Sequence, residues 1–323
     1  MQVPLTVTVL IINWNSGSQL SHCLRHLAAQ TVQPTRILIV DNGSCDHSIE
    51  QIFLPPNATV KALRNNLGFA GGNNYGLKAC RTDLVALLNP DAFPEPDWMK
   101  QLLAAAQQYP DVAAFGSCQR CWSNPEILDG TGDRYHMSGL VRREGYGRRP
   151  AKNALRPREI FSPCAAAALY RRKALADIGG FDNDFFCYVE DVDLGFRLRL
   201  AGHTARFVPK AVVHHVGSAS TGGRHSDFAL YHGHRNLVWA FVKNMPGFLF
   251  WAMLPVHVAM NLATLLVFML RGRYRVILRA KRDALRQIPR EWRKRRAIQS
   301  LRKASIRAIW RMIDKHPIPK NRI

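Results

Sequence analysis

Residues 5–41 read LTVTVLIINWNSGSQLSHCLRHLAAQTVQPTRILIVD. Leu5 to Asn13 alternates apolar and β-branched residues as a buried strand does. Ser18 to Gln30 follows with Leu20, Leu24 and Leu27 on one helical face, and Arg36 to Asp41 is a second short apolar strand. Strand, helix and strand at this spacing predict a right-handed βαβ unit with parallel strands. The alternation continues outward through a strand near Thr59 to Leu63, a helix over about Gly71 to Cys80 and a strand at Leu84 to Leu88. The prediction is an α/β fold with a doubly wound, mainly parallel sheet, whose ligands sit beyond the carboxyl ends of the strands. Asn13, Asp41 and the Asn89–Asp91 turn all fall at those ends.

With 323 residues, 47% of them hydrophobic, the chain is long enough for a substantial core and excludes wholesale disorder. Its net charge of +22 is unevenly placed. After Leu270 there are nineteen Lys and Arg against three Asp and Glu, a net of +16, so everything before it carries only +6. Seven scattered cysteines in a chain of this size read as a reducing compartment rather than a disulfide framework. Cys118 and Cys121 form a C-x-x-C without a second pair at metal-ligand spacing, so two ordinary thiols are expected. The N-terminus has neither a basic region nor a small-residue cleavage site.

Several short segments carry chemistry. Asp41 ends its strand in IVDNGSCD, where a carboxylate accepts hydrogen bonds from a nucleobase or ribose or else caps an Asn-Gly turn. In LRNNLGFAGGNNYG (63–76), Gly68, Gly71 and Gly72 allow a ligand close to the backbone, with a helix N-terminus facing phosphate, although the spacing is not G-x-G-x-x-G. LLNPDAFPEPDW (87–98) sets Asn89 and Asp91 two apart, a spacing that lets both face a hard cation bridging phosphates. Glu190, Asp191 and Asp193 sit among apolar residues in YVEDVDLGFRL, at the start of a helix predicted over Val189–Ala201. Partial burial makes such carboxylates either poised for proton transfer or ion-paired with Arg197 or Arg199. His214 and His215 follow the strand-like AVV at 211–213. Residues 117–160 are irregular and read as loops with possible short antiparallel strands.

In this order the segments resemble the inverting glycosyltransferase family 2 of GT-A, Rossmann-like fold, and within it the rhamnosyltransferase-like branch. The resemblance covers about Val7 to Gly223 and returns in RNLVWAFVKN (235–244). It implies a catalytic domain over 1–235 that moves a sugar, rhamnose as the first guess, from a nucleotide diphosphate to a saccharide or lipid-linked acceptor. Asp191 is then the base, Glu190 beside it positions base or acceptor, and Asp91 and His215 bind Mg²⁺ or Mn²⁺, with His214 the less favoured substitute. Asn13, Asp41, Asn42, Asn66, Gly68 and Asn89 form the donor-binding set. Asn89 stands where the family's metal motif usually opens with an acid. A sugar-nucleotide pyrophosphorylase fits less well, because NWNSGS after the first strand offers no basic triphosphate loop.

The remaining 236–323 reads as a membrane-associated helical region. Asn244 to Leu270 is free of charged side chains but interrupted by Pro255. Cytosolic nucleotide sugar and a basic tail place both flanks on the cytoplasmic side, which predicts a peripheral or re-entrant hairpin broken near Pro255 at the inner membrane. Ile298, Leu301, Ile309, Trp310 and Ile313 recur among Arg and Lys at near-helical spacing. That pattern predicts an amphipathic surface helix with anionic lipid, not nucleic acid, as its partner.

Overall fold

The computed structural model describes residues 4–151, 153–217 and 226–317. Strand β1 (Val7–Asn13) is buried along its whole length and lies between β2 (Arg36–Asp41) and β4 (Leu84–Leu88), parallel to both. Strand β3 (Ala58–Ala62) extends the parallel set beyond β2. Burial on both faces explains the near-continuous Val, Ile and Leu of these strands. Helix α1 (Gln19–Ala28) buries Leu20, Leu24 and Leu27 against one face, as its periodicity predicts.

Helix α2 starts at Gly68 and runs to Ala79, earlier than the glycines suggest. Gly71 and Gly72 are therefore inside the helix, and their lack of side chains serves packing rather than a ligand. A Cβ on Gly72 would lie 2.8 Å from the Ile12 side chain, and one on Gly76 would strike Leu10. The helix thus sits close on β1.

Beyond β4 the sheet becomes mixed. Strand β11 (Ala167–Arg171) is antiparallel to both β4 and β6 (Val112–Cys121), and β6 runs parallel to β12 (Thr204–His215). The short β5 (Ala92–Pro94), followed by α3 (Trp98–Gln108), pairs antiparallel with β12 so that His215 lies opposite Ala92. The irregular stretch holds short antiparallel strands: β7 (Asn124–Gly130) on β6, and the hairpin of β8 (Asp133–Tyr135) with β9 (Val141–Arg143). The two-residue β10 (Arg158–Glu159) borders β12, and α4 (Arg172–Asp177) follows β11.

Helix α5 (Glu190–Leu200) shares an apolar core with the C-terminal helices α6 (Asp227–Asn244), α7 (Gly247–Leu270), α8 (Tyr274–Arg286), α9 (Ile288–Ser300) and α10 (Ile306–Met312). The 235/236 division falls inside α6. Two further expectations are corrected. Residues 247–270 form one continuous helix through Pro255 rather than a broken hairpin. Pro255 lies on the exposed side of the helix, where the Trp251 carbonyl it leaves without an intrahelical donor can be solvated. In the tail, Ile309 and Ile313 are buried, with Ile298 and Trp310 packed on the same core, so this apolar face is consumed internally. Of the five residues only Leu301 is exposed among large hydrophobics, and the surface helix predicted from them does not form as a free amphipath.

Candidate active site

A cavity of about 500 Å³ opens at the carboxyl ends of β1 and β4 and takes its other wall from α5, α6 and the β8–β9 hairpin. Asn42, Asn66, Gly68, Asn89, Asp91, Glu190, Asp191 and His215 all line it, which brings most of the sequence candidates together.

Asn13 and Asp41 are not among the lining residues. Parallel register sets them side by side at the ends of β1 and β2. The buried Asn13 Nδ2 donates to Asp41 Oδ1 at 2.9 Å and to Ser48 Oγ at 2.9 Å, and Ser44 Oγ donates to the same Asp41 oxygen. Asn13, expected as a donor contact, is fully buried instead, and its geometry is that of a support for Asp41. Asn42 braces the adjoining loop. Its Nδ2 donates to Asn66 Oδ1 and the Gly68 carbonyl, and its Oδ1 accepts from the Leu67 N–H.

Gly68 is forced by its surroundings. Its φ is +73°, and a Cβ there would lie 2.5 Å from the Phe186 carbonyl oxygen. Gly17 has φ +54° with nothing within 4 Å. Gly17→Ala is therefore expected to show backbone strain alone, about 1 kcal/mol, and Gly68→Ala strain plus collision, about 3 kcal/mol. Urea unfolding of the two variants measures the difference.

The β5–β12 pairing carries Asp91 to His215. His215 Nε2 lies 3.3 Å from Asp91 Oδ1, and His215 Nδ1 lies 2.8 Å from Asp129 Oδ2. Both acids and the imidazole are buried. Burial alone would lower the imidazole, but Asp91 and Asp129 hold it up to about 9. Nε2 has no hydrogen-bond partner among the described residues. One imidazole nitrogen fixed by a carboxylate and the other aimed beside a second carboxylate is the arrangement of an oriented metal ligand. A hard divalent ion that takes one or two protein ligands and completes its shell with phosphate oxygens and water fits this donor pair. No group of three or more ligating side chains occurs among the described residues, including around Cys118 and Cys121. His214 points elsewhere, toward Glu95 at 3.1 Å. Residues 218–220 of the HHVGSAS segment lie outside the described residues.

The opposite wall carries the acids of α5. Asp191 accepts from the Ala165 N–H at 3.1 Å and from its neighbour Val192 N–H at 2.8 Å, so its carboxylate is fixed at the N-terminus of α5. Glu190 is buried beside it; desolvation first, then the charge of Asp191, push its pKa well above the usual carboxylate range. Its Oε2 has no partner among the described residues. Asp193 instead pairs with Arg197 at 2.8 Å and Lys243 at 2.8 Å, the structural ion pair foreseen for one of the three.

The segment entering α5 is strained: Phe186, Tyr188 and Val189 have φ of +63°, +67° and +68°. Asn236 of α6 holds it, with Nδ2 within 2.9 Å of the carbonyls of Phe185, Cys187 and Tyr188. Arg143 was missed by the sequence reading. It lines the cavity, bonds Asp129 at 2.9 Å and lies 3.7 Å from Asp133, so a half-buried cation stands near the Asp91–His215 pair through Asp129, which also bonds His215. The D-G-T-G-D spacing at 129–133 is the only signal the sequence gives of this network.

A mixed sheet with a nucleotide-sized cavity at its strand ends and acids on opposite walls defines a GT-A transferase architecture. Residues 4–236 match the family described as "Glycosyltransferase like family 2", and the chain belongs to it. It is 30% identical over 245 residues to the N-acetylglucosaminyl-diphospho-decaprenol L-rhamnosyltransferase of Mycobacterium tuberculosis, covering 66% of this chain and 77% of that one. It is 28% identical to the pre-mycofactocin glycosyltransferase of the same organism, covering 86% of this chain and 58% of that one. Among solved structures it resembles a mannosyltransferase of Pyrobaculum calidifontis in complex with GDP-Man and Mn²⁺ (TM-score 0.54, 17% identity, 95% and 86% covered). It also resembles GalNAc-T7 with UDP, GalNAc and Mn²⁺ (TM-score 0.60, 15% identity, 75% and 48% covered). At these identities the structural likeness concerns the fold.

Proposed function

We propose that this glycosyltransferase transfers a sugar, rhamnose in the first instance, with inversion from a nucleoside diphosphate to a hydroxyl of a saccharide or lipid-linked saccharide acceptor in cell-surface polysaccharide synthesis. The observation that carries the reading is that the Asp91–His215 pair and Asp191 line one cavity. A volume of about 500 Å³ suits a nucleotide sugar.

In this reading Asp41 and the Asn42–Asn66 brace shape the nucleoside end. Asp91 and His215 would hold Mg²⁺ or Mn²⁺, which supplies charge neutralisation for the departing diphosphate. Arg143, from the β8–β9 hairpin, adds a positive charge that reaches His215 through Asp129. Asp191 takes the proton from the acceptor hydroxyl as that oxygen forms its bond to the anomeric carbon and the bond to the diphosphate breaks. Its two N–H donors keep the carboxylate aimed while leaving lone pairs for the incoming proton. Glu190, kept protonated, donates toward the acceptor or toward Asp191. A single displacement with base and leaving group on opposite sides inverts the anomeric carbon. The apolar α7 and basic tail support docking at the cytoplasmic leaflet, where a lipid-linked acceptor would be presented.

The product's anomeric configuration, read by proton NMR immediately after transfer, tests the mechanism: the linkage opposite to the donor's is expected, and retention overturns it. Asp91→Ala is expected to weaken Mn²⁺ binding by tenfold or more, as about 10–100-fold follows loss of groups supporting a metal. Titration calorimetry in the presence of nucleoside diphosphate measures it.

A further inference from the structure

Helix α7 is the longest apolar element and it is two-faced. Leu249, Phe250, His257 and Thr264 are buried, while Phe248, Trp251, Val258, Leu262, Leu266, Met269 and Leu270 are exposed. At about 100° per residue the two sets fall on opposite sides of the helix. The stripe is continued on α8 by Tyr274, Leu278 and Leu285, and it contains no charge. A contiguous apolar surface of this length needs a cover.

Length and composition alone would permit a bilayer crossing. The packing of the helix on the catalytic domain opposes it. The midpoint of α7 is fixed to the catalytic domain: His257 Nδ1 lies 2.7 Å from the Ser138 carbonyl oxygen, and its ring stacks on Phe241 at 3.9 Å. A crossing would drag the β8–β9 turn, with its polar backbone, into hydrocarbon, where such groups go unsatisfied.

The border of the stripe names the chemistry of the cover. Arg271, Arg275, Arg279, Arg282 and Arg286 flank its α7–α8 end. At its start, Arg296 and Arg302 line a small pocket with Gly247, Trp292 and Gln299, and no carboxylate lines it. Arg295 in the same pocket is committed to the carbonyls of Val242 and Met245 and lies 4.6 Å over the Phe250 ring. Trp251 and Trp292 stand beside it, the residue type that prefers the headgroup level.

We infer that α7 lies in the plane of an anionic phospholipid leaflet, its apolar stripe inserted and a headgroup phosphate seated against Arg296 and Arg302. The far end of the helix explains the use of this geometry. Arg273, just past α7, pairs with Asp227, and the adjacent Phe228 and Ala229 line the catalytic cavity. In-plane docking therefore sets the cavity mouth near the leaflet surface, within reach of a lipid-borne acceptor. The inference deepens the membrane-side acceptor reading above and rests on it.

The test is flotation of the full chain with phosphatidylcholine vesicles, with and without phosphatidylglycerol. The wild type is expected to float with the anionic vesicles. Leu262→Glu with Leu266→Glu is expected to lower the bound fraction by about tenfold or more, since buried apolar area drives interfacial binding. Arg296→Glu with Arg302→Glu is expected to abolish the preference for phosphatidylglycerol. The exposed native thiol Cys45 on the catalytic domain, and Arg271→Cys in a Cys45→Ser background, are labelled with an impermeant maleimide in the presence of sealed vesicles. Both positions are expected to react from one side only. Reaction from opposite sides, or flotation unchanged by the paired glutamates, overturns the inference. Nucleoside diphosphate release in detergent is read in parallel: a chain that floats but releases none contradicts the transferase reading and leaves the docking intact.

Discussion

Asp191→Asn is expected to lower kcat by about a thousandfold while leaving donor affinity within about twofold, because general-base catalysis contributes on the order of 10²–10⁴. The amide keeps the size of the side chain, and its carbonyl oxygen can still accept one of the two N–H groups, from Ala165 and Val192, that hold the carboxylate. What it loses is the ability to take a proton. Glu190 is not expected to replace it, since burial and the neighbouring charge raise its pKa and disfavour its carboxylate form. Single-turnover transfer together with a donor-binding titration separates the two effects. A variant with near-normal kcat would move the base elsewhere, and one that no longer binds donor would make Asp191 a donor contact.

The second large effect is on stability. Lys243 is fully buried between Asp182, at 2.5 Å, and Asp193, at 2.8 Å. Lys294 of α9 reaches the same Asp182 at 2.8 Å, so this cluster ties the C-terminal helices to the segment leading into α5. Lys243→Met leaves the buried Asp193 and the half-buried Asp182 each short of a partner and is expected to cost about 3–5 kcal/mol. Burial raises both acids, yet Lys243 and its neighbouring cations win and hold both below the ordinary range. Stability from a depressed carboxyl is present above its unfolded pKa, near 3.9, and is lost as pH falls below that. The variant should therefore lose less stability than the wild type between about pH 4 and pH 2, because the depression it removes is the quantity that titrates there. Urea unfolding across that range measures both. A cost below about 1 kcal/mol would show that water reaches the cluster.

The parallel half of the sheet was legible because its strands are buried on both faces and its helix α1 on one, so period and burial coincide at Val7–Asn13, Gln19–Ala28 and Arg36–Asp41. The strand-end rule then located Asn89, Asp91 and the neighbourhood of Asp41 without any structure. It could not separate a residue facing the cavity from one behind it, and Asn13 lies behind. Gly71 and Gly72 carried a true signal of close approach, but the approaching partner of Gly72 is Ile12, and sequence does not say whether a neighbour is ligand or protein. Arg143, Asp129 and Asp133 escaped because short strands and tight turns leave no period to read, and the three converge only through β-pairing. Asn236 and Lys243 sat in an apolar helix whose polar members found partners more than 45 residues away. The apolar positions of the tail follow the same logic: an amphipathic pattern shows that a face is buried, and Ile309 and Ile313 bury theirs on the protein itself.

The central claim, that one cavity joins a nucleotide-sugar donor to a base on α5, is tested most directly by release of nucleoside diphosphate. The full chain is incubated with a panel of nucleotide sugars and a membrane extract as acceptor source, with Mg²⁺, with Mn²⁺ or with chelator, alongside Asp191→Asn. The account predicts release from one donor, dependent on the divalent ion and lost in the variant. Release from no donor under any of these conditions, or equal release by the variant, would contradict it.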